Sequence, residues 1–195
     1  MKSKSARICG MGAGLRAHVF LLMIFLLVGC TSPAALHITS DATPATLPPG
    51  KIGVHLLLDD GRGMWPVDVW PEHMQAAREA VGEWGYVVQL VRSDDLDPSR
   101  WQMFMDLCAD LHLTPILRLA TTFDREANLW VAPPQDSDGA YRAIAGQYAA
   151  FVVALRWPTA EHYVIVGNEP NHGNEWGGVP DPAAYARFFI DVADA

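Results

Sequence analysis

Four apolar runs, each followed by a stretch with helical spacing, constrain the fold of this chain more than any other feature. Residues 52–58, 86–92, 114–120 and 162–168 are dominated by Val, Ile, Leu and aromatic side chains, the composition of strands. Between the first two runs Met74, Ala77, Val81 and Trp84 recur every three or four positions, so the spacing predicts a helix over about 71–84. Asp97-Pro98 and Asp181-Pro182 each offer an N-cap followed by proline at the first helical position. They open helices running to about 112 and onward from 182, the latter still in progress at Ala195, while 141–156 supplies the remaining helix. Strands alternating with helices predict βαβ units, a parallel sheet and right-handed crossovers, hence an α/β fold. Pro115 is compatible with a strand because it falls near the strand's beginning.

The fourth run is the one that carries chemistry. Val164-Ile165-Val166-Gly167 ends abruptly in Asn168-Glu169 and is halted by Pro170-Asn171. A strand this apolar is expected to be buried on both faces, as in parallel sheets. A carboxylate at its C-terminal tip falls on the rim where α/β barrels place their active sites. Two long loops, 121–139 and 170–180, leave the third and fourth strands on that same rim, and loops of such length are commonly functional or disordered.

The N-terminus reads as a targeting segment. Lys2, Lys4, Arg7 and Arg16 precede the apolar run 19–28, which is too short to span a membrane and has signal-peptide proportions. Leu27-Val28-Gly29-Cys30 resembles the lipobox of bacterial lipoproteins, which implies lipidation of Cys30 and an extracytoplasmic, membrane-anchored protein of the cell envelope. The competing readings are an ordinary signal peptide and an uncleaved anchor. The expected organisation is therefore a signal peptide over 1–29, a Ser/Thr/Pro-rich tether over 30–50 and one domain over 51–195. Gly10, Gly12 and Gly14 lie in the signal region with no strand before them, so they mark no dinucleotide site. Without the four early cations, ten basic residues face 22 acidic ones, a formal charge of −12. Such a chain lacks the basic footprint of a nucleic-acid binder and suits a neutral ligand such as a sugar. Cys108 is the one thiol beyond Cys30, which excludes a disulfide framework and a cysteine metal site, and its helical pattern is expected to bury it.

Asn168-Glu169-Pro170 closing a fourth βα-series strand resembles the acid/base motif of clan A retaining glycoside hydrolases, (β/α)8 TIM barrels that include cellulases, xylosidases and mannanases. The resemblance covers about residues 51–195 and corresponds to the first four βα units. It implies that Glu169 protonates the departing glycosidic oxygen and later deprotonates the incoming water, one of two carboxyl groups ~5–5.5 Å apart. Such an acid starts neutral, its pKa raised by a partly apolar site and by its partner carboxylate. Asn168 is implied to hydrogen-bond the sugar hydroxyl beside the anomeric carbon, and Arg92 at the end of the second strand to support the nucleophile. For Glu169 the alternative is a loop cap or an arginine pair; for Arg92 it is an ion pair with Asp94 or Asp95. Arg118 reads equally as a buried structural cation and as a catalytic one, and His55 as a satisfied interior histidine, with substrate contact the alternative.

Trp65, Trp130 and Trp176 fall in loops after the first, third and fourth strands and are candidates to stack on sugar CH faces, as His172 is to contact substrate; anchoring of their own loops is the competing role for the tryptophans. Trp70, Trp84, Trp101 and Trp157 are expected to pack against the sheet. Asp59, Asp60 and Asp124 also reach the rim, as sugar ligands or as turn residues. Glu169, His172 and Glu175 match no standard metal spacing, so no metal or cofactor is expected. The family's nucleophile is a Glu ending the seventh strand, and this chain holds four units where a whole barrel has ~250 residues. The expectation is a truncated, lipid-anchored glycosidase of neutral oligo- or polysaccharides that lacks its C-terminal half-barrel and is inactive alone. The rivals are a non-catalytic carbohydrate-binding lipoprotein on the same scaffold, and an α/β lipoprotein of another class, such as a solute-binding component.

Overall fold

The computed structural model describes residues 52–195, which fall within one compact unit, Asp41–Ala195. The expected signal peptide, Cys30 and the tether lie outside the described residues. Among the described residues no helix is long and apolar enough to cross a membrane.

The chain builds the alternation it predicts: β1 (Gly53–Leu56), α1 (Trp70–Val81), β2 (Tyr86–Arg92), α2 (Pro98–Asp110), β3 (Thr114–Ala120), a two-stranded ribbon of β4 (Phe123–Asp124) and β5 (Leu129–Trp130), α3 (Arg142–Ala154), β6 (Tyr163–Val166) and α4 (Pro182–Asp194). The four longer strands form one sheet in the order β1-β2-β3-β6, every neighbour parallel. Both anticipated caps form, Asp97 accepting from the Ser99 N–H and Asp181 from the Ala184 N–H, each at 2.9 Å.

Strand parity sorts the side chains into two unequal faces. Val87, Val91, Leu117 and Leu119 point to the helices and are buried against Trp70, Met74, Trp101, Phe104, Tyr148 and Phe188. In the opposite parity stand His55, Val88, Leu90, Arg92, Ile116, Arg118, Tyr163 and Ile165. On this face Tyr86 and Tyr163 meet edge to face at 5.7 Å across the intervening strand. Its upper end is covered, where Leu90 and Ala120 pack under Phe123 and Trp130 of the ribbon. The ribbon sits close enough that a Cβ on Gly61 (φ +78°) would come within 2.8 Å of Phe123 and 2.9 Å of Trp130.

Two expectations about burial are corrected. The β6 run is not buried on both faces, since Val164 and Ile165 are 38% and 37% exposed. His55 is exposed rather than interior. The cause is common to both: β1 and β6 are the edges of a four-stranded sheet, and no described element covers their outer sides or the face that carries His55 and Ile165.

Candidate active site

The C-terminal ends of the parallel strands carry two clusters of arginine and carboxylate. The first joins β1 to β2. Asp59, 1% exposed, receives Arg92 Nη1 at 2.7 Å and the Gly61 N–H at 3.0 Å on one oxygen, with Arg100 Nη1 3.7 Å from the other. Arg92 Nε also pairs with Asp94 at 2.8 Å, and Arg100 pairs with Asp95. The Arg100 guanidinium lies over the rings of Trp70 and Trp101 at 5.1 and 4.8 Å. Burial pushes it below the usual arginine range, Asp59 pulls it back up and Arg92 adds to the depression. Arg92 is thus committed to Asp59 and Asp94 of its own neighbourhood, so the competing ion-pair reading applies to it in part, and Asp59, expected at the rim as a sugar ligand or a solvated turn residue, is instead its buried partner.

The second cluster joins β3 to β6. Gly167 takes a positive φ of 73° and donates its N–H to the Leu119 carbonyl at 2.8 Å, one last ladder bond before the chain turns. Asn168 and Glu169 follow just past the tip, both exposed. Arg118 Nη1 donates to Asn168 Oδ1 at 3.0 Å, while Arg118 Nε is buried without a hydrogen-bond partner among the described residues. Burial depresses Arg118 below the usual range, against Glu175 first and Glu169 second, whose charges hold it up. Glu169 makes no side-chain hydrogen bond or ion pair among the described residues. Between the two strand ends lies a cleft of about 20 Å³, lined by Arg118, Asn168, Glu175, Trp130 and Trp176. That is room for about one water, so a sugar ring would rest over this rim rather than within it.

The loop tryptophans divide. Trp130 and Trp176, 5% and 7% exposed, are buried anchors: Trp130 packs on Phe123 at 5.1 Å, and Trp176 on Tyr185 and Phe188 at 5.7 and 5.9 Å. The Gly177 N–H donates to the Trp130 carbonyl at 2.8 Å, which ties the two long loops together. Little of either ring is open to a sugar, because each long loop uses its tryptophan to pack itself against neighbouring aromatic rings. Trp65 is 51% exposed, resting on His73 at 5.2 Å, and stands after β1, away from the lining of the cleft. His172 is exposed, its N–H bonded to the Glu169 carbonyl at 2.7 Å in the turn that leads to Glu175. Asp60 and Asp124 are turn residues, capping N–H groups of Arg62 and Gly63, and of Glu126 and Ala127. Among the described residues no three His, Cys, Asp or Glu side chains converge to hold a metal ion.

Sequence reasoning missed the Arg118–Asn168 bond and the placement of Glu175 beside the same guanidinium. One signal was present: Arg118 is the lone charge within an otherwise apolar strand, two residues before its end. No protein-family model, curated protein or solved structure matches this chain.

Proposed function

We propose that the chain supplies the first four βα units of a (β/α)8 barrel of the clan A retaining glycoside hydrolase type, anchored to the bacterial envelope through lipidated Cys30 and acting on neutral glycans. One observation carries this reading: Asn168 and an exposed, unpaired Glu169 stand side by side past the C-terminal tip of a parallel strand. Glu169 acts as acid and then base. As the nucleophile attacks the anomeric carbon and the glycosidic C–O bond breaks, Glu169 gives its proton to the leaving oxygen; it then takes a proton from water, whose oxygen displaces the enzyme carboxylate. The nucleophile belongs to the seventh strand of the complete barrel. Support for that missing half comes from the open edges, where Ile52, Leu57, Val164 and Ile165 are exposed.

In the complete protein, Glu169→Gln should slow cleavage of glycosides with poor leaving groups by ~10²–10⁴-fold and affect activated aryl glycosides much less in the first step, because those depart unprotonated. Equal losses on both substrates contradict the assignment. Glycan binding that depends on Glu169 without any turnover would instead select the non-catalytic carbohydrate-binding lipoprotein. The anchor is tested separately: Cys30→Ala should leave unprocessed precursor without lipid label, and unchanged labelling removes that part of the proposal.

A further inference from the structure

Arg118 stands on the same face of the sheet as His55 and Leu90, in register with Ile165 of β6, which lies three residues before Asn168. A guanidinium carries only N–H donors, so the Asn168 atom facing Arg118 Nη1 at 3.0 Å is the carbonyl oxygen. That contact settles the orientation of a carboxamide whose two ends are otherwise interchangeable, and it turns the Asn168 NH₂ away from Arg118. The same guanidinium lines the cleft with Glu175, and its Nε is buried without a partner among the described residues.

Resting on the glycosidase reading of the site and deepening it, we infer that Arg118 is the positioning residue of this centre, locking the Asn168 carboxamide with its NH₂ toward the ligand. The Asn168 NH₂ is thereby the end left free of Arg118, and a ligand group facing it must accept a hydrogen bond, as a sugar hydroxyl can and an ammonium, which offers only donors, cannot.

Asn168→Ala in the full chain is the first test, since Asn168 is exposed and its loss leaves the core untouched. Exchange of the Arg118 guanidinium protons with water, followed by ¹⁵N NMR, should quicken by about tenfold or more when this charge-assisted bond is removed. Unchanged exchange in a folded variant overturns the inference. Conversely, Arg118→Lys should shift the Asn168 side-chain NH₂ resonances, and their persistence would overturn it too. In the complete protein, Arg118→Lys should lower kcat/KM for 2-hydroxy glycosides about tenfold or more and for 2-deoxy glycosides far less. Equal losses on both refute the positioning role and spare the glycosidase reading. If the unsubstituted complete protein turns over neither, the glycosidase reading fails, and the exchange data alone decide whether Arg118 orients Asn168.

Discussion

Two arginine–carboxylate clusters stand at the same edge of the sheet, one between β1 and β2 and the other between β3 and β6. In the first, Asp59 is buried and meets Arg92, Arg100 and a backbone N–H. Its Oδ1 accepts from both Arg92 and the Gly61 N–H, and Arg100 lies beside its Oδ2, as in a structural ion network. In the second, Arg118 is half-buried, with only its Nε fully enclosed, while Asn168 and Glu169 remain exposed. The difference has a consequence: a fully buried carboxylate held by two cations braces the fold, whereas a half-buried cation leaves Asn168 and Glu169 facing solvent. The pair of clusters also shows why an acidic residue at a strand end is not by itself a site, since Asp59 and Glu169 both occupy such positions.

The comparison can be broken at several points. The largest stability loss is expected beneath the open cluster, at Trp176→Ala, which empties a buried anchor shared with Tyr185 and Phe188. It should cost about 3–5 kcal/mol by denaturant unfolding, whereas Trp65→Ala, at a half-exposed ring, should stay within about 0.5 kcal/mol. A near-neutral Trp176→Ala would mean that the β6 loop is not held as described. Next comes Asp59→Asn, which strands two cations whose side chains are only 17% and 15% exposed. A loss of about 3 kcal/mol is expected, the lower end of the range for a broken buried pair because Asp94 and Asp95 remain as second partners. Glu169→Gln should leave the melting temperature unchanged, and a comparable loss there would erase the distinction between the clusters.

A smaller effect is set by pH in the shared core. Burial raises the Cys108 thiol well above its ordinary value of 9.0 and likewise raises the Tyr148 hydroxyl above 10.0. The unfolded chain therefore loses these protons first. The stabilisation from Cys108 is complete below about pH 9 and declines as pH rises toward the folded-state value, by at most about 1.4 kcal/mol per pH unit. Cys108→Ala should flatten this alkaline decline in part, with the Tyr148 share remaining. An identical decline in the variant would place the effect elsewhere.

How much of this was legible beforehand depended on whether local pattern or distant partners decide the outcome. β2 and β3 run from Tyr86 to Arg92 and from Thr114 to Ala120 as the sequence indicates, because central strands flanked on both sides read as continuous apolar runs. The caps at Asp97 and Asp181 are likewise local chemistry. The burial of β6 departs from its pattern because an apolar run states a preference, and nothing within it records whether a neighbouring strand stands beside it. The β4–β5 ribbon forms where the sequence pattern predicts only a long loop, although Asp124 capping the turn and Asn128 at φ 54° between Phe123 and Trp130 are recognisable hairpin chemistry. Asn168 and Glu169 were found from a strand tip and a tripeptide. Arg118 reaching Asn168 was not, because a bond across 50 residues leaves no trace in spacing.

The most direct measurement of the central claim is chemical rescue of Glu169→Gln in the complete protein, assayed on an activated aryl glycoside. Without its base, the variant should accumulate the glycosyl-enzyme. Azide attacks the anomeric carbon and displaces the enzyme carboxylate without needing a proton removed, so it should restore turnover. A β-configured retaining enzyme should release a β-glycosyl azide. Absence of rescue in a folded variant with equal losses for activated and unactivated substrates would assign Glu169 a structural role and contradict the account.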